Sequence, residues 1–439
     1  MIDCLAPRRS KKTKKFSSTN FCMNQKSTLI SILRIGTTTL LAGVLSYVYH
    51  PLMLQFMSVE TFGEFSSMLG VFNILGVLTA GIGLFLMPKI AQQRGNHQEI
   101  VWLYQWAFPR GILLGLLAGA LFFLAIPFLQ NYLHLPYRLP LVLIGGSVVL
   151  TFPSTVLSAF VQGMEKFTFL GINGILWWVF KLIIGLALAY CGYGVYAAIG
   201  GLVGAGVLSF LLVWAYVFWL LRPYQFKKTQ KLNLDQSFVS EFWSFFHAVL
   251  LALLLAFFMN SDLIMVRNLF DAQQAGIYGG IAVVGKFIIY VLAAIETVYY
   301  PKLTQYSSAQ QVPFAWIKNP LFLFLLAGLG AILGSWVLGE KVLWLMKPEL
   351  AGQVGLLLLV VLSGLLYGIL GFYAKVLIAR GDKKVNYSLA FGAITLLGVF
   401  YFLPPLSLVQ YTLSFAAVEF VLLIYLLQRI YILRKSNEK

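Results

Sequence analysis

The stretch FMSVETFGEFSSMLGVFNILGVLTAGIGLFLMPKIAQ at Phe56–Gln92 returns, without a gap, as LFDAQQAGIYGGIAVVGKFIIYVLAAIETVYYPKLTQ at Leu269–Gln305. Identity is low, but the matches fall at punctuation points. Gly63 lands on Gly276, Phe65 on Tyr278, and Pro88-Lys89 with Gln92 on Pro301-Lys302 with Gln305. The glycine reads as the opening of an apolar helix and the Pro-Lys as its close. Such a duplication in an apolar chain points to a transport protein made of two bundles.

The chain is a membrane protein by composition. Apolar residues make up 60% of its 439 residues and charged ones 11%, with a mean hydropathy of +0.84. A soluble chain would carry roughly 25% charged residues. A helix needs about 20 mostly apolar residues to cross the hydrocarbon. Twelve segments meet that length: Leu29–His50, Phe62–Leu86, Trp106–Leu129, Pro140–Val161, Phe167–Tyr190, Val195–Leu221, Phe242–Val266, Ala275–Tyr300, Leu321–Leu338, Gly352–Ile378, Tyr387–Leu403 and Leu406–Leu427. Runs this long do not alternate with period two, which excludes a β-barrel.

Charge gives the spans a direction. With both termini on one side, that side collects most of the Lys and Arg, among them Lys89, Arg94, Lys166, Lys227, Lys228, Lys231, Arg380, Lys383 and Lys384. The other side receives only Arg138, Lys341 and Lys347. By the positive-inside rule both termini are cytoplasmic. The net charge of +17 is then topology plus attraction to anionic lipid heads, and nucleic acid is not an expected partner.

An even number of crossings separates the two copies, so the repeats are parallel, related by an axis along the membrane normal. Gly163-Met-Glu-Lys166 and Gly381-Asp-Lys-Lys384 form a second matched pair, in the turn after the fourth span of each half. The expected fold is all-α and polytopic, about 12 transmembrane helices in two parallel six-helix bundles. Residues 1–26 form a basic cytoplasmic arm, with Met23 an alternative start. The bundles span 27–221 and 241–432, joined by a basic linker at 222–240 and followed by a tail at 433–439. Gly111, Gly115 and Gly119, and more briefly Gly330 and Gly334, form small-residue ridges for close helix approach. Pro153 marks a kink.

No segment offers chemistry of the enzymatic kind. The external links are short, and no HExxH, clustered Cys or Ser-His-Asp set occurs. Gly280–Lys286 matches the start of a phosphate-binding loop, but Phe287 stands where Ser or Thr should hold magnesium, and the stretch lies inside a span. No cofactor or metal is expected. What remains is a set of polar groups in apolar runs, each costly unless it faces protein or water. Arg34, Lys181 and Lys286, with Asn73 at the repeat position of Lys286, read as lining a net cationic, water-filled cavity between the halves. The competing reading is structural pairing, for example Asp262 with Lys286. Asp262 and Glu296 are either ion-coupling groups or balancing charges. Arg267 reads as an interface residue reaching the external surface, and His247 as a helix-packing residue.

Glu60-x-Phe-Gly-x-Phe65 before a long span ending at Pro88-Lys89 resembles the start of the polysaccharide biosynthesis protein family. These are Wzx-type flippases of the multidrug/oligosaccharidyl-lipid/polysaccharide exporter superfamily. Asn260-Ser-Asp262-Leu-Ile-Met, then Ala275-Gly-Ile-Tyr278, is similar to its mid-chain signature, and Gly163-x-x-Lys166 resembles its turn. The resemblance runs from about Lys26 to Lys435 and rests on the order and spacing of these motifs. It implies a V-shaped pair of bundles in a bacterial inner membrane. Its usual cargo is an undecaprenyl-pyrophosphate-linked oligosaccharide, moved outward by alternating access. H+ or Na+ coupling and the membrane potential are alternative drives, and a polysaccharide polymerase and glycosyltransferases the candidate protein partners. The alternatives are a multidrug exporter of the same superfamily, which would prefer an acidic cavity, and a non-transporting scaffold of a glycan-assembly complex.

Overall fold

The computed structural model describes residues 41–436 except 42, 44, 94–95, 225–233 and 305–313. Arg34, the N-terminal arm and part of the central linker lie outside the described residues. Helix α1 occupies residues 45–56. It is followed by α2 (Val59–Val77), α3 (Ala80–Gln92), α4 (His97–Tyr132), α5 (Leu139–Gly163), α6 (Phe167–Tyr190) and α7 (Val195–Leu221). The second half holds α8 (Leu234–Leu269), α9 (Ala272–Gly285), α10 (Phe287–Thr304), α11 (Phe314–Met346), α12 (Val354–Ala379), α13 (Lys384–Phe402) and α14 (Leu408–Ser436). Among the described residues, 11 helices are long and apolar enough to cross a membrane. The pairs α2–α3 and α9–α10 each count as one crossing. The chain is thus an all-α multi-pass membrane protein.

The repeat's punctuation is sharper in the structure than in the sequence. The helices open at Ser58 and Asp271, which are repeat counterparts, and not at the glycines. Ser58 accepts a hydrogen bond from the Thr61 N–H at 3.2 Å and Asp271 from the Gln274 N–H at 2.7 Å. Each is an extended N-cap holding one of the helix's orphan donors. Pro88 and Pro301 do not end their helices either. Both are inside, since α3 runs on to Gln92 and α10 to Thr304.

The glycines serve the crossing of the two copies. Helix α2 packs on α9, and a Cβ on Gly63 would stand 2.7 Å from the Gly276 backbone nitrogen. A Cβ on Gly276 would collide with the Val59 carbonyl. Backbones meet here because neither residue has a side chain. Helix α2 also packs on α8, as does α3, so the halves touch mainly through the repeat itself.

Packing is uneven along the membrane normal. Near the Ser58 end one hydrophobic cluster runs through both halves, from Tyr49, Met53 and Phe62 to Tyr278, Ile281 and Leu350. Toward the Gln92 end the first half keeps a cluster of its own around Leu86, Ile90, Leu103, Phe160 and Val217. The halves are therefore welded at one rim and separately cored at the other, which gives the V shape. Within the first half the ridge acts as expected: Gly111 and Gly115 pack on Pro153, and Gly115 and Gly119 on Val149. Gly330 and Gly334 do not, because both face open space while Gly328 and Gly339 carry the contact of α11 with Leu365 and Leu357.

Candidate functional site

The polar groups in the spans fall into three places. The first is a turn of α8. From the first half, Asn73 Nδ2 donates to Asn260 Oδ1 at 3.0 Å. From the second half, Lys286 Nζ donates to the Met259 carbonyl at 2.6 Å and to Asp262 Oδ1 at 2.7 Å. The repeat counterparts Asn73 and Lys286 thus grip the same turn of α8 from two sides. Tyr278 donates to the other Asp262 oxygen at 2.9 Å, and Tyr411 to the Asp262 carbonyl at 3.3 Å. Asp262 is buried and its partner lysine is partly open. Lys286 also lines a cavity of about 110 Å³ between the halves, with His50, Ser66, Asn260, Gly279 and Tyr290 on its wall. The two readings of Lys286, wall and ion pair, therefore hold together.

Lys181 is the second place. It is 1% exposed, and its ammonium lies 4.2 Å from the Tyr49 ring, 4.7 Å from Trp178 and 5.3 Å from Trp177. No carboxylate among the described residues pairs with it. Three ring faces supply the negative potential a counter-ion would otherwise give. Tyr49 is fixed by donating to the Ala198 carbonyl at 2.9 Å, and Gly185 leaves room for its ring. Lys181 is not on the wall of the cavity that holds Lys286, and in this conformation the two lysines are not brought to one surface.

The remaining carboxylates separate. Glu296 pairs with Lys375 at 2.7 Å on the partly exposed side of α10 and α12, away from Asp262. The buried acid nearer Asp262 is Glu419, 1% exposed, which accepts a hydrogen bond from Ser363 Oγ at 2.6 Å. Glu419 was not singled out from the sequence, although it is a lone carboxylate in the last apolar span, the same signal that marks Asp262. His247 is a packing residue, its carbonyl and ring both facing Asn386.

The third place is the Ser58 rim, and it corrects the reading of Arg267. That side chain does not reach out to the surface. It is 4% exposed and crosses to the other half, where Nε donates to the Leu133 carbonyl at 2.9 Å and an Nη to that of His134 at 3.1 Å. Glu64 lies 3.6 Å away. The guanidinium meets the unpaired carbonyls at the C-terminus of α4, where the helix dipole favours a cation. Asn268 donates to the Tyr132 carbonyl at 2.7 Å. Lys347 donates to the Leu54 and Met57 carbonyls at 3.3 and 2.7 Å, and Gln55 to that of Leu345 at 3.3 Å. Among the described residues, no group of His, Cys, Asp and Glu is arranged to hold a metal ion.

Known proteins share this fold. The fold is similar to an inward-facing multidrug resistance MATE transporter of the MOP superfamily, with a TM-score of 0.67 at 14% identity over 92% of this chain and 99% of that one. An outward-facing conformation of such a transporter gives 0.58, at 15% identity over 92% and 96%. The lipid II flippase MurJ in an inward closed conformation gives 0.57, at 11% identity over 92% and 90%. In sequence, 176 residues are 29% identical to the capsular polysaccharide biosynthesis protein CapF of Staphylococcus aureus, 38% of this chain and 44% of that protein. The match thus spans under half the length of that relative. A family profile described as polysaccharide biosynthesis protein matches residues 29–307, more than half of the chain. The chain belongs to the polysaccharide biosynthesis protein family.

Proposed function

We propose that this protein is a flippase. It carries a lipid-linked oligosaccharide, with undecaprenyl pyrophosphate as the lipid carrier, from the cytoplasmic to the external leaflet of a bacterial inner membrane. The observation that carries the reading is a lysine, Lys286, on the wall of a cavity between two bundles in a member of this family. In the orientation given by the positive-inside rule both termini are cytoplasmic and the welded Ser58 rim is external. The head group enters from the cytoplasmic side while the lipid tail stays in the bilayer, and the halves then rock about the α2–α9 crossing.

Asp262 holds Lys286 in the present state. A proton or sodium ion reaching the Asp262 and Glu419 carboxylates would weaken that grip and release the ammonium to the pyrophosphate. This favours Glu419 over Glu296 as the second coupling group, since Glu296 is occupied by Lys375. Lys181 acts behind the cavity, holding Tyr49 and the tryptophans in place, and joins the substrate path only if rocking uncovers it. Arg34 and Asn73 remain candidate contacts of the head group. Polysaccharide polymerase and glycosyltransferases are the proteins expected to supply and consume the cargo.

The test is translocation of labelled lipid-linked glycan in vesicles by the wild type, by Lys286→Met and by the Lys181→Met/Lys286→Met double variant. Loss in both variants with retained folding supports the reading. Intact movement in the double variant removes the site assignment, and no movement by the wild type removes the function.

A further inference from the structure

A second cavity, of about 180 Å³, lies wholly within the first half between α2, α5, α6 and α7. Phe72, Ser147, Thr151, Ser154, Trp177 and Ser209 are on its wall, and none of the residues lining it is charged. Ser147 is 9% exposed, and its hydroxyl has no hydrogen-bond partner. Asn173 donates to Ser209 at 2.8 Å, which leaves its own buried Oδ1 without a partner. Buried polar atoms are almost always paired, so these two call for an explanation, the more so in a span where lost hydrogen bonds are costly.

We infer that this cavity is a subsite for one neutral sugar ring of the transported glycan, an assignment that rests on the flippase reading. The wall combines what such a ring needs. Trp177 and Phe72 offer apolar ring surface to its C–H groups, while the hydroxyls of Ser147, Thr151, Ser154 and Ser209 meet its own. An acyl chain would leave those polar atoms unpaired, and a phosphate would find no cation on the wall. The volume is below the 300–1,000 Å³ or so of sites that hold whole ligands, in keeping with a single ring. Location supports it too. Leu69, on the wall of the Lys286 cavity, and Phe72, on the wall of this one, are a single turn apart on α2. A head group with its pyrophosphate at Lys286 can therefore present its first sugars to Trp177.

The full-length protein in lipid nanodiscs tests this by direct binding of undecaprenyl pyrophosphate, bare or carrying glucose or N-acetylglucosamine. The wild type should bind at least one sugar-bearing form about tenfold more tightly than the bare lipid. Phe72→Leu and the milder Ser147→Ala should each erase most of that difference and leave the bare lipid's affinity unchanged. Equal binding of bare and sugar-bearing lipids by the wild type overturns the subsite while the lipid-pyrophosphate reading stands. A sugar advantage that survives in both variants, or an equal loss for all the lipids, also overturns it. Failure of the wild type to bind any of the lipids overturns the flippase reading and the subsite with it.

Discussion

Asp262 receives Lys286 and Tyr278 through its carboxylate, so Asp262→Asn leaves an ammonium facing a neutral amide in a nearly dry site. Removing one partner of a buried pair costs about 3–5 kcal/mol, and the part-open position of Lys286 puts the expected loss at the low end. Asp262→Asn should therefore lower thermal stability in detergent clearly, and Asp262→Asn/Lys286→Met should recover most of it without recovering transport. A double variant as unstable as the single one would mean that the pair is not the source of the loss. Lys181→Met should behave differently. With no carboxylate to orphan, it forfeits cation–π attraction of roughly 2 kcal/mol and regains the desolvation cost of the ammonium, so stability should change by under about 1 kcal/mol in the same melting assay. Both lysines stood out in the sequence as charges in apolar runs. Their surroundings did not: Trp177 and Trp178 are a turn from Lys181 in sequence, but Tyr49 comes from α1 and only packing brings it there. Glu419 carried the same signal as Asp262 and was visible on the same physical grounds.

At the level of helices, the sequence located nearly every span, because a run of about 20 apolar residues is a direct physical requirement of the bilayer. What it could not reveal is which small residues touch. Gly111–Gly119 and Gly330–Gly334 look alike as patterns, but the first lies on α5 and the second faces open space, a difference set by the rotation of each helix in its bundle. The repeat glycines match in sequence and suggest helix openings; the caps five residues earlier do that work, and their match from Ser58 to Asp271 is hidden by the change of residue type. Gly276→Ala should push α9 off the Val59 carbonyl. Overpacking of this kind costs about 1–3 kcal/mol, so the variant should melt earlier and transport poorly. Gly334→Ala, with nothing near it, should be neutral or slightly stabilising, since alanine favours a helix over glycine by up to about 1 kcal/mol. Melting curves of the two variants side by side check the assignment, and equal curves would refute it.

Over the whole molecule, the polar contacts between the halves gather with the Gly63–Gly276 crossing at the Ser58 rim, apart from the Asn73–Asn260 bond deeper in the span. Arg267, Asn268, Lys347 and Gln55 all donate across it to main-chain carbonyls of the opposite half. The alternating access proposed above requires these to break together, so on that reading they set the balance between the two openings. Hydrogen bonds from a charged donor contribute about 1.5–3 kcal/mol each, and a tenfold shift of a two-state equilibrium needs only about 1.4 kcal/mol. Arg267→Ala should therefore move the population toward the state open at the Ser58 rim by tenfold or more. The effect is readable with a Tyr132→Cys/Asn268→Cys pair in a background where Cys4, Cys22 and Cys191 are replaced by Ser. In an otherwise wild-type chain a short reducible cross-linker should bridge the pair readily and stop transport until reduced. With Arg267→Ala added, bridging should slow by about the factor of the population shift, while a maleimide applied from the Ser58 side should label the same cysteines faster. Unchanged bridging and labelling would mean that the glycine crossing, the surrounding apolar contacts and the Lys347 and Gln55 bonds hold the rim shut without Arg267, and that the guanidinium is there to cap α4.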